Sequence, residues 1–248
     1  LLTSPGLAQS GSALPGSLAT IADNTDRTGT NPANLKNTLD LVSEFRSYGA
    51  GVFFDDIRWR YWQSVAAHRM RVRAELPLSF ANLTGRLEAG LGDVLLGWEW
   101  VPLVHGRIAW LAGADVSFDS STNEALAAGH HVVAPSVGVV HAPRRNVVLA
   151  VRYFQRTSFG SAGDRPDHHD TIIDGAVVRR FGDGTWVRAS PTLVVDYEND
   201  RVSGRVYGEW GRLLTGGVST WVRGGPVLGS RPSRPFDWAL QVGFRFVQ

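Results

Sequence analysis

Cysteine is absent from the 248 residues, and lysine occurs only once, at Lys36. Without cysteine there is neither a disulfide framework nor a thiolate metal site. The remaining 24 of the 25 basic residues are arginine. Net charge is only +2, so the chain lacks the field that nucleic-acid binding needs. No apolar run approaches the roughly 20 residues of a membrane-spanning helix. Charged residues make up 19% against 43% hydrophobic, which excludes a disordered chain. Twelve prolines spread along the sequence argue against a long helical protein. Two classes remain: a soluble β-rich protein, or a membrane protein whose apolar surface is carried on alternate residues of strands.

Residues 1–37 differ from the rest. They are rich in Ser, Thr, Gly, Asn and Ala, lack aromatic residues and show no sustained periodicity. They read as a flexible N-terminal arm, with Leu1–Ala8 either the tail of a signal peptide ending in small residues or simply the start of that arm. From Thr38 to residue 248 the pattern has period two. Leu39, Leu41 and Phe45 alternate with Asp40, Glu44 and Arg46. Met70, Val72, Ala74, Leu76 and Leu78 alternate with Arg69, Arg71, Arg73 and Glu75. Successive strand side chains point to opposite faces, so each such segment has one apolar and one polar face. The alternation predicts twelve strands, at 38–48, 52–63, 68–80, 92–101, 106–118, 130–141, 145–158, 168–180, 184–197, 201–213, 216–227 and 235–247. Several are longer than an ordinary globular strand and match the roughly 9–11 residues of a tilted bilayer crossing.

The connections after even-numbered strands are short, and most after odd-numbered strands are long, such as Ala81–Leu91 and Asp119–Gly129. That sorting describes an up-and-down antiparallel barrel in a bacterial outer membrane, with short turns facing the periplasm. Aromatics fall in two bands. Trp59, Tyr61, Trp100, Phe181, Trp210, Phe244 and Phe246 lie near the short turns, and Phe45, Phe80, Phe118, Tyr197 and Trp238 near the long loops. Interfacial girdles would place them so. A single all-β transmembrane barrel of about twelve strands over residues 38–248 is the expected fold.

Several segments carry a family resemblance: Asn31-Pro32 ahead of the first strand, Gly90-Leu91-Gly92-Asp93-Val94, and Ala134-Pro135-Ser136-Val137-Gly138. Further along come Gly182-Asp183-Gly184-Thr185-Trp186 with Ser190-Pro191, and Asp237-Trp238-Ala239-Leu240-Gln241-Val242. In this order they resemble motifs of the MetA-type (phenol meta-pathway) outer-membrane barrels. The resemblance runs from about Asn31 to the end and implies passage of small, often hydrophobic compounds across the outer membrane.

If the apolar sets face lipid, the alternate sets line the lumen. That predicts a lumen carrying Arg46, Arg58, Arg60, Arg69, Arg71, Arg73, Arg152, Arg156, Arg188, Arg205, Arg223 and Arg245. Facing them are Asp40, Glu44, Glu75, Glu99, Asp115, Asp174, Asp196 and Glu209. Arg69, Arg71 and Arg73 share one face at about 7 Å spacing, so acids must lie between them. Such a set reads either as a structural charge network or as a basic constriction favouring anions or polarisable aromatics. None of the seven histidines (His68, His105, His130, His131, His141, His168 and His169) begins a His-x-Ser, the arrangement of barrel lipid hydrolases. His168, His169 and Asp170 lie at a loop rim with Asp164, Arg165 and Asp167; they could bind a divalent metal, but an exposed loop pair is more often just solvated, and no metal site is expected.

The expected function is a channel or transporter for a small hydrophobic or anionic molecule, with no chemical step and no cofactor. The alternatives are a non-conducting accessory barrel and, further off, a barrel lipid hydrolase. Expected partners are outer-membrane lipid, lipopolysaccharide and a periplasmic or outer-membrane protein. The arm either folds into the lumen as a plug or hangs free as a handle; sequence leaves both open.

Overall fold

The computed structural model describes residues 28–65, 69–123, 126, 129–161, 167–230 and 234–248. Residues 1–27 with the signal-peptide tail, His68, and the loop residues Asp164 and Arg165 lie outside the described residues. The strands are β1 (Thr38–Gly49), β2 (Val52–Val65), β3 (Met70–Ala81), β4 (Glu88–Leu91), β5 (Leu95–Trp100), β6 (Val104–His105) and β7 (Ile108–Ser117). They continue with β8 (His130–Arg144), β9 (Val147–Ser161), β10 (His169–Arg180), β11 (Thr185–Asp196), β12 (Arg201–Thr215), β13 (Val218–Leu228) and β14 (Trp238–Val247).

Every neighbouring pair is antiparallel, and the sheet closes on itself where β1 pairs with β14, from Thr38↔Val247 to Ser47↔Trp238. Twelve strands form the wall, as the periodicity predicts. Closure matters because hydrocarbon offers no partner for an unpaired N–H or C=O, and a closed barrel leaves no edge. The two extra strands are local. β4 extends the wall beside the upper part of β3, and Gly92–Val94 separate it from β5 with one residue more than β3 offers opposite. Asp93 fills the break by accepting the amides of Ser120 and Ser121, which draws the following loop onto the wall. β6 makes a small hairpin with the start of β7.

Tight turns join the strands at one end, as at Gly216-Gly217, where both residues have positive φ. In the turn after β10, Asp183 accepts the Thr185 amide at 3.0 Å and its hydroxyl at 2.9 Å. Those bonds stabilise the ionised carboxylate and hold its pKa below the ordinary value. The opposite end carries the longer connections. Two of its connections are nonetheless tight, at Ala50-Gly51 and after β11, where Ala50 and Asp200 adopt positive φ.

Outward-facing side chains are apolar. Leu76, Leu96, Trp98, Val137, Val151, Val206 and Leu240 are all exposed, while inward Asp40 and Glu99 are buried. In water such an exterior would drive aggregation; against lipid it matches the solvent. Trp59, Trp100, Phe181, Trp210, Phe244 and Phe246 are exposed towards the tight-turn end, with Phe118, Tyr197 and Trp238 exposed towards the other. Phe45 sits between Phe53 (5.7 Å) and Trp238 (5.4 Å).

The lumen is not polar throughout. Towards the tight-turn end, inward Val101, Ala109, Leu111, Val140, Val148 and Val178 form a dry cluster with Trp186 and Trp221. In register, Trp186 stands opposite Gly211, Gly211 opposite Trp221, and Trp221 opposite Gly243. A Cβ on Gly211 would fall inside the Trp186 ring, so that glycine is what lets the indole lie flat across the neighbouring strand. Gly211→Ala is therefore expected to cost about 1–3 kcal/mol through overpacking. The readout is the urea midpoint of the detergent-folded barrel. Gly208→Ala, whose Cβ would meet nothing within 4 Å, serves as the control, and equal midpoints would refute the packing account.

Candidate functional site

The segment before β1 enters the barrel. Asn31 builds a compact turn: its side chain accepts the Ala33 amide at 3.0 Å, and its carbonyl accepts the Asn34 amide at 3.0 Å. Pro32 sits within that turn, where its fixed φ suits the second position. Ala33 and Leu35 are buried in the apolar cluster of the lumen, Leu35 being only 1% exposed. Asn37 then ties the segment to the end of β2 by accepting the Ser64 amide at 2.7 Å. Of the two placements expected for the arm, residues 28–37 thus adopt the one inside the lumen.

The inner end of this segment is held by one arginine. Arg245 forms a bidentate pair with Asp40 (2.8 and 2.9 Å), its register neighbour, and donates its remaining terminal nitrogen to the Gly29 carbonyl at 2.8 Å. Above the segment, a cavity of about 630 Å³ opens towards the long-loop end. A smaller space of about 240 Å³ surrounds the segment itself. Thr30, Arg60, Asp174, Arg188 and Arg245 border both, so they form a collar between the two compartments.

The charges around this collar divide by wall. On the β1–β9 side nearly all are paired. Arg71 meets Glu99 at 2.5 Å, Arg60 meets Glu75 at 2.5 Å, and Arg73 meets Asp115 at 2.7 Å. Arg58 pairs with Glu44, Arg46 with Glu44 and Asp56, and Arg152 with Glu99. Arg152 reaches Glu99 across two intervening strands. A Cβ on Gly113 would stand 2.9 Å from its guanidinium, and the bare glycine leaves the path clear. The Trp62 ring supports the Arg71 and Arg73 guanidinium groups at 3.8 and 4.9 Å, so those like charges are separated by acids and an aromatic face.

The β11–β13 side is different. Arg188, Glu209 and Arg223 stand side by side in register. Glu209 nevertheless turns away and accepts the Trp186 indole N–H at 2.7 Å. Asp174 is likewise engaged by the Thr192 hydroxyl at 2.6 Å. Among the described residues, Arg188, Arg205 and Arg223 take part in no ion pair, and the Nε atoms of Arg205 and Arg223 are buried without a partner. Tyr207 lies beneath both of those guanidinium groups, at 6.0 and 4.9 Å.

The remaining sequence-predicted residues are placed as follows. Arg69 lies outside the lumen wall, exposed in the turn before β3, because that strand begins at Met70. Arg156 and Asp170 form a two-bond pair at 2.5 and 2.6 Å, which commits that carboxylate to an arginine. His169 faces the other way, its ring 5.1 Å from that of Tyr197, so the three rim residues expected as a set do not converge. Burial and the nearby Arg156 push the His168 imidazole below its ordinary pKa, leaving it neutral at neutral pH. His131 accepts the Asp119 amide at the loop rim, and Ser136 accepts from Arg152 inside the lumen. The apolar floor and the free trio escaped sequence reading: the first because those strands are apolar on both faces, the second because diversion of Glu209 is a tertiary event.

No family model and no curated protein matches the sequence. Solved structures do match in fold. An outer-membrane channel from Pseudomonas putida F1 superposes with a TM-score of 0.70 at 10% identity, over 86% of this chain and 96% of its own. The NanC porin gives 0.63 at 12% identity, over 84% and 98%. The KdgM porin, solved in complex with disordered oligogalacturonate, gives 0.60 at 11% identity, over 84% and 98%. Together with the apolar exterior and the closed wall, this places the chain in a bacterial outer membrane with the fold of porins and channels.

Proposed function

We propose that the protein is a channel of the outer membrane that passes small anionic molecules and is closed at rest by residues 28–37. We further propose that it is a distant member of the MetA-type barrels. Five motifs in the same order as in that family support this, alongside the fold shared with an outer-membrane channel of Pseudomonas putida. The observation that carries the channel reading is the way the lumen ends. A charged cavity of about 630 Å³ runs down to a segment of chain, not to a floor made of wall side chains alone. Its polar attachments to the wall include the bond from Arg245 to the Gly29 carbonyl and the tie of Asn37 to Ser64. A barrel of this architecture, the KdgM porin, takes an organic ligand, oligogalacturonate. The unpaired arginines on one wall favour anions.

The test is single-channel recording in a planar bilayer with the full chain and with a chain beginning at Thr38. Low conductance in the first and a several-fold larger, anion-preferring conductance in the second is the expected pair of results. The dry cluster around Leu35 favours a second reading, a closed barrel that anchors a partner protein. Silence of both chains, with β structure confirmed, would replace the channel by that scaffold.

A further inference from the structure

We infer that Arg188, Arg205 and Arg223 form a binding site for a small organic carboxylate in the outer compartment of the lumen. This deepens the channel reading and rests on it. Twelve wall strands bring many arginines inwards, and on the β1–β9 side almost all are neutralised by a carboxylate within ion-pair distance. Arg188, Arg205 and Arg223 are not, nor is Arg201 at the exposed rim of the cavity, and for the three deeper ones the cause is specific. The acid that the register places between Arg188 and Arg223 is held instead by the Trp186 indole, and the nearby Asp174 by Thr192. Guanidinium groups without a direct ion-pair partner are costly where they are buried, as the Nε atoms of Arg205 and Arg223 are, and the three positive charges stand against only two nearby carboxylates, Glu209 and Asp174. Such an arrangement persists where an anion completes it.

Their geometry suits a planar oxyanion. Tyr207 lies beneath Arg205 and Arg223, and an aromatic face under the guanidinium groups restricts their side chains before a ligand arrives, so less freedom is lost on binding. Arg188 is oriented by its Nε donating to Ser190 at 2.8 Å, which leaves its terminal nitrogens for a ligand. Guanidinium forks recognise carboxylates through paired parallel bonds. The cavity also decides between an inorganic and an organic ion. Its volume of about 630 Å³ falls in the range of organic-ligand sites, far above the roughly 30 Å³ share of a water molecule. Val42, Ile172 and Val194 add an apolar component to its lining, against which a hydrocarbon portion would pack.

The experiment is isothermal titration of benzoate into the full chain folded in detergent, with benzamide as neutral isostere and inorganic phosphate as compact anion. Benzoate is expected to bind, with benzamide and phosphate each at least tenfold weaker. Arg223→Gln and Arg205→Gln should each weaken benzoate at least tenfold. Arg212→Gln, exposed on the same strand, should leave it unchanged. Retained β circular dichroism and heat-modifiable migration would show that each variant is folded. Benzamide binding as well as benzoate, phosphate binding as well as benzoate, or unchanged affinity in both variants would each overturn the site. The readout does not depend on conduction: a conducting barrel that ignores benzoate loses only the site, and a silent barrel that binds it loses only the channel.

Discussion

Replacing Glu99 by glutamine is expected to destabilise the barrel by about 3–5 kcal/mol, a large fraction of a typical folding free energy. Glu99 is 5% exposed and holds Arg71 through one carboxylate oxygen and Arg152 through the other. Arg71 comes from the adjacent strand β3, whereas Arg152 comes from β9, beyond two intervening strands on the other side. The carboxylate therefore staples separate parts of the wall from inside. Removing its charge leaves two largely buried guanidinium groups without compensation, which costs more than the net worth of the intact pair. The measurement is the urea midpoint of the detergent-folded protein, compared with the double variant Glu99→Gln, Arg152→Met. The second change removes one orphaned charge and should recover part of the loss. A single-variant loss below about 1 kcal/mol, the scale of an exposed ion pair, would refute the account.

Arg245→Met is expected to convert the closed full chain into one that opens. The methionine keeps hydrocarbon bulk but loses the bond to the Gly29 carbonyl and both bonds to Asp40. Without them the inner end of the lumenal segment loses its anchor, while Ala33 and Leu35 stay in the apolar cluster and the tie at Asn37 remains. Single-channel records should show frequent transitions to the conductance of the chain that begins at Thr38. Asp40→Asn should have a smaller effect, since Arg245 then still reaches Gly29. Records of Arg245→Met that match the parent, while truncation raises conductance, would show that Arg245 is not what holds the segment in place.

Much of the wall was legible in the sequence because a strand sorts its residues by solvent. Leu76 and Val72 against Glu75 and Arg73 can satisfy a lipid face and a wet face in only one way, and the pairs Arg71↔Glu99 and Asp40↔Arg245 follow from strand order and register. The signal fails where both sides of a strand are dry. Ala109, Leu111, Val140 and Val148 point inwards with an apolar character that alternation cannot tell from the lipid face. The same limit left the arm's placement open, since Ala33 and Leu35 stand in a polar stretch without periodicity. They become core residues only because the barrel closes around them.

What the amino-acid sequence determined by itself was therefore the class and the sidedness: a twelve-stranded outer-membrane barrel with arginines turned inwards, set by period-two hydropathy and the lengths of the connections. What only the tertiary structure decided was which charges remain available. Glu209 stands between Arg188 and Arg223 in register, yet its carboxylate goes to the Trp186 indole, which lies within reach because Gly211 has no side chain. A hydrogen bond inside a packed lumen depends on where neighbouring strands place their bulk, and that is a property of the closed barrel, absent from any single strand.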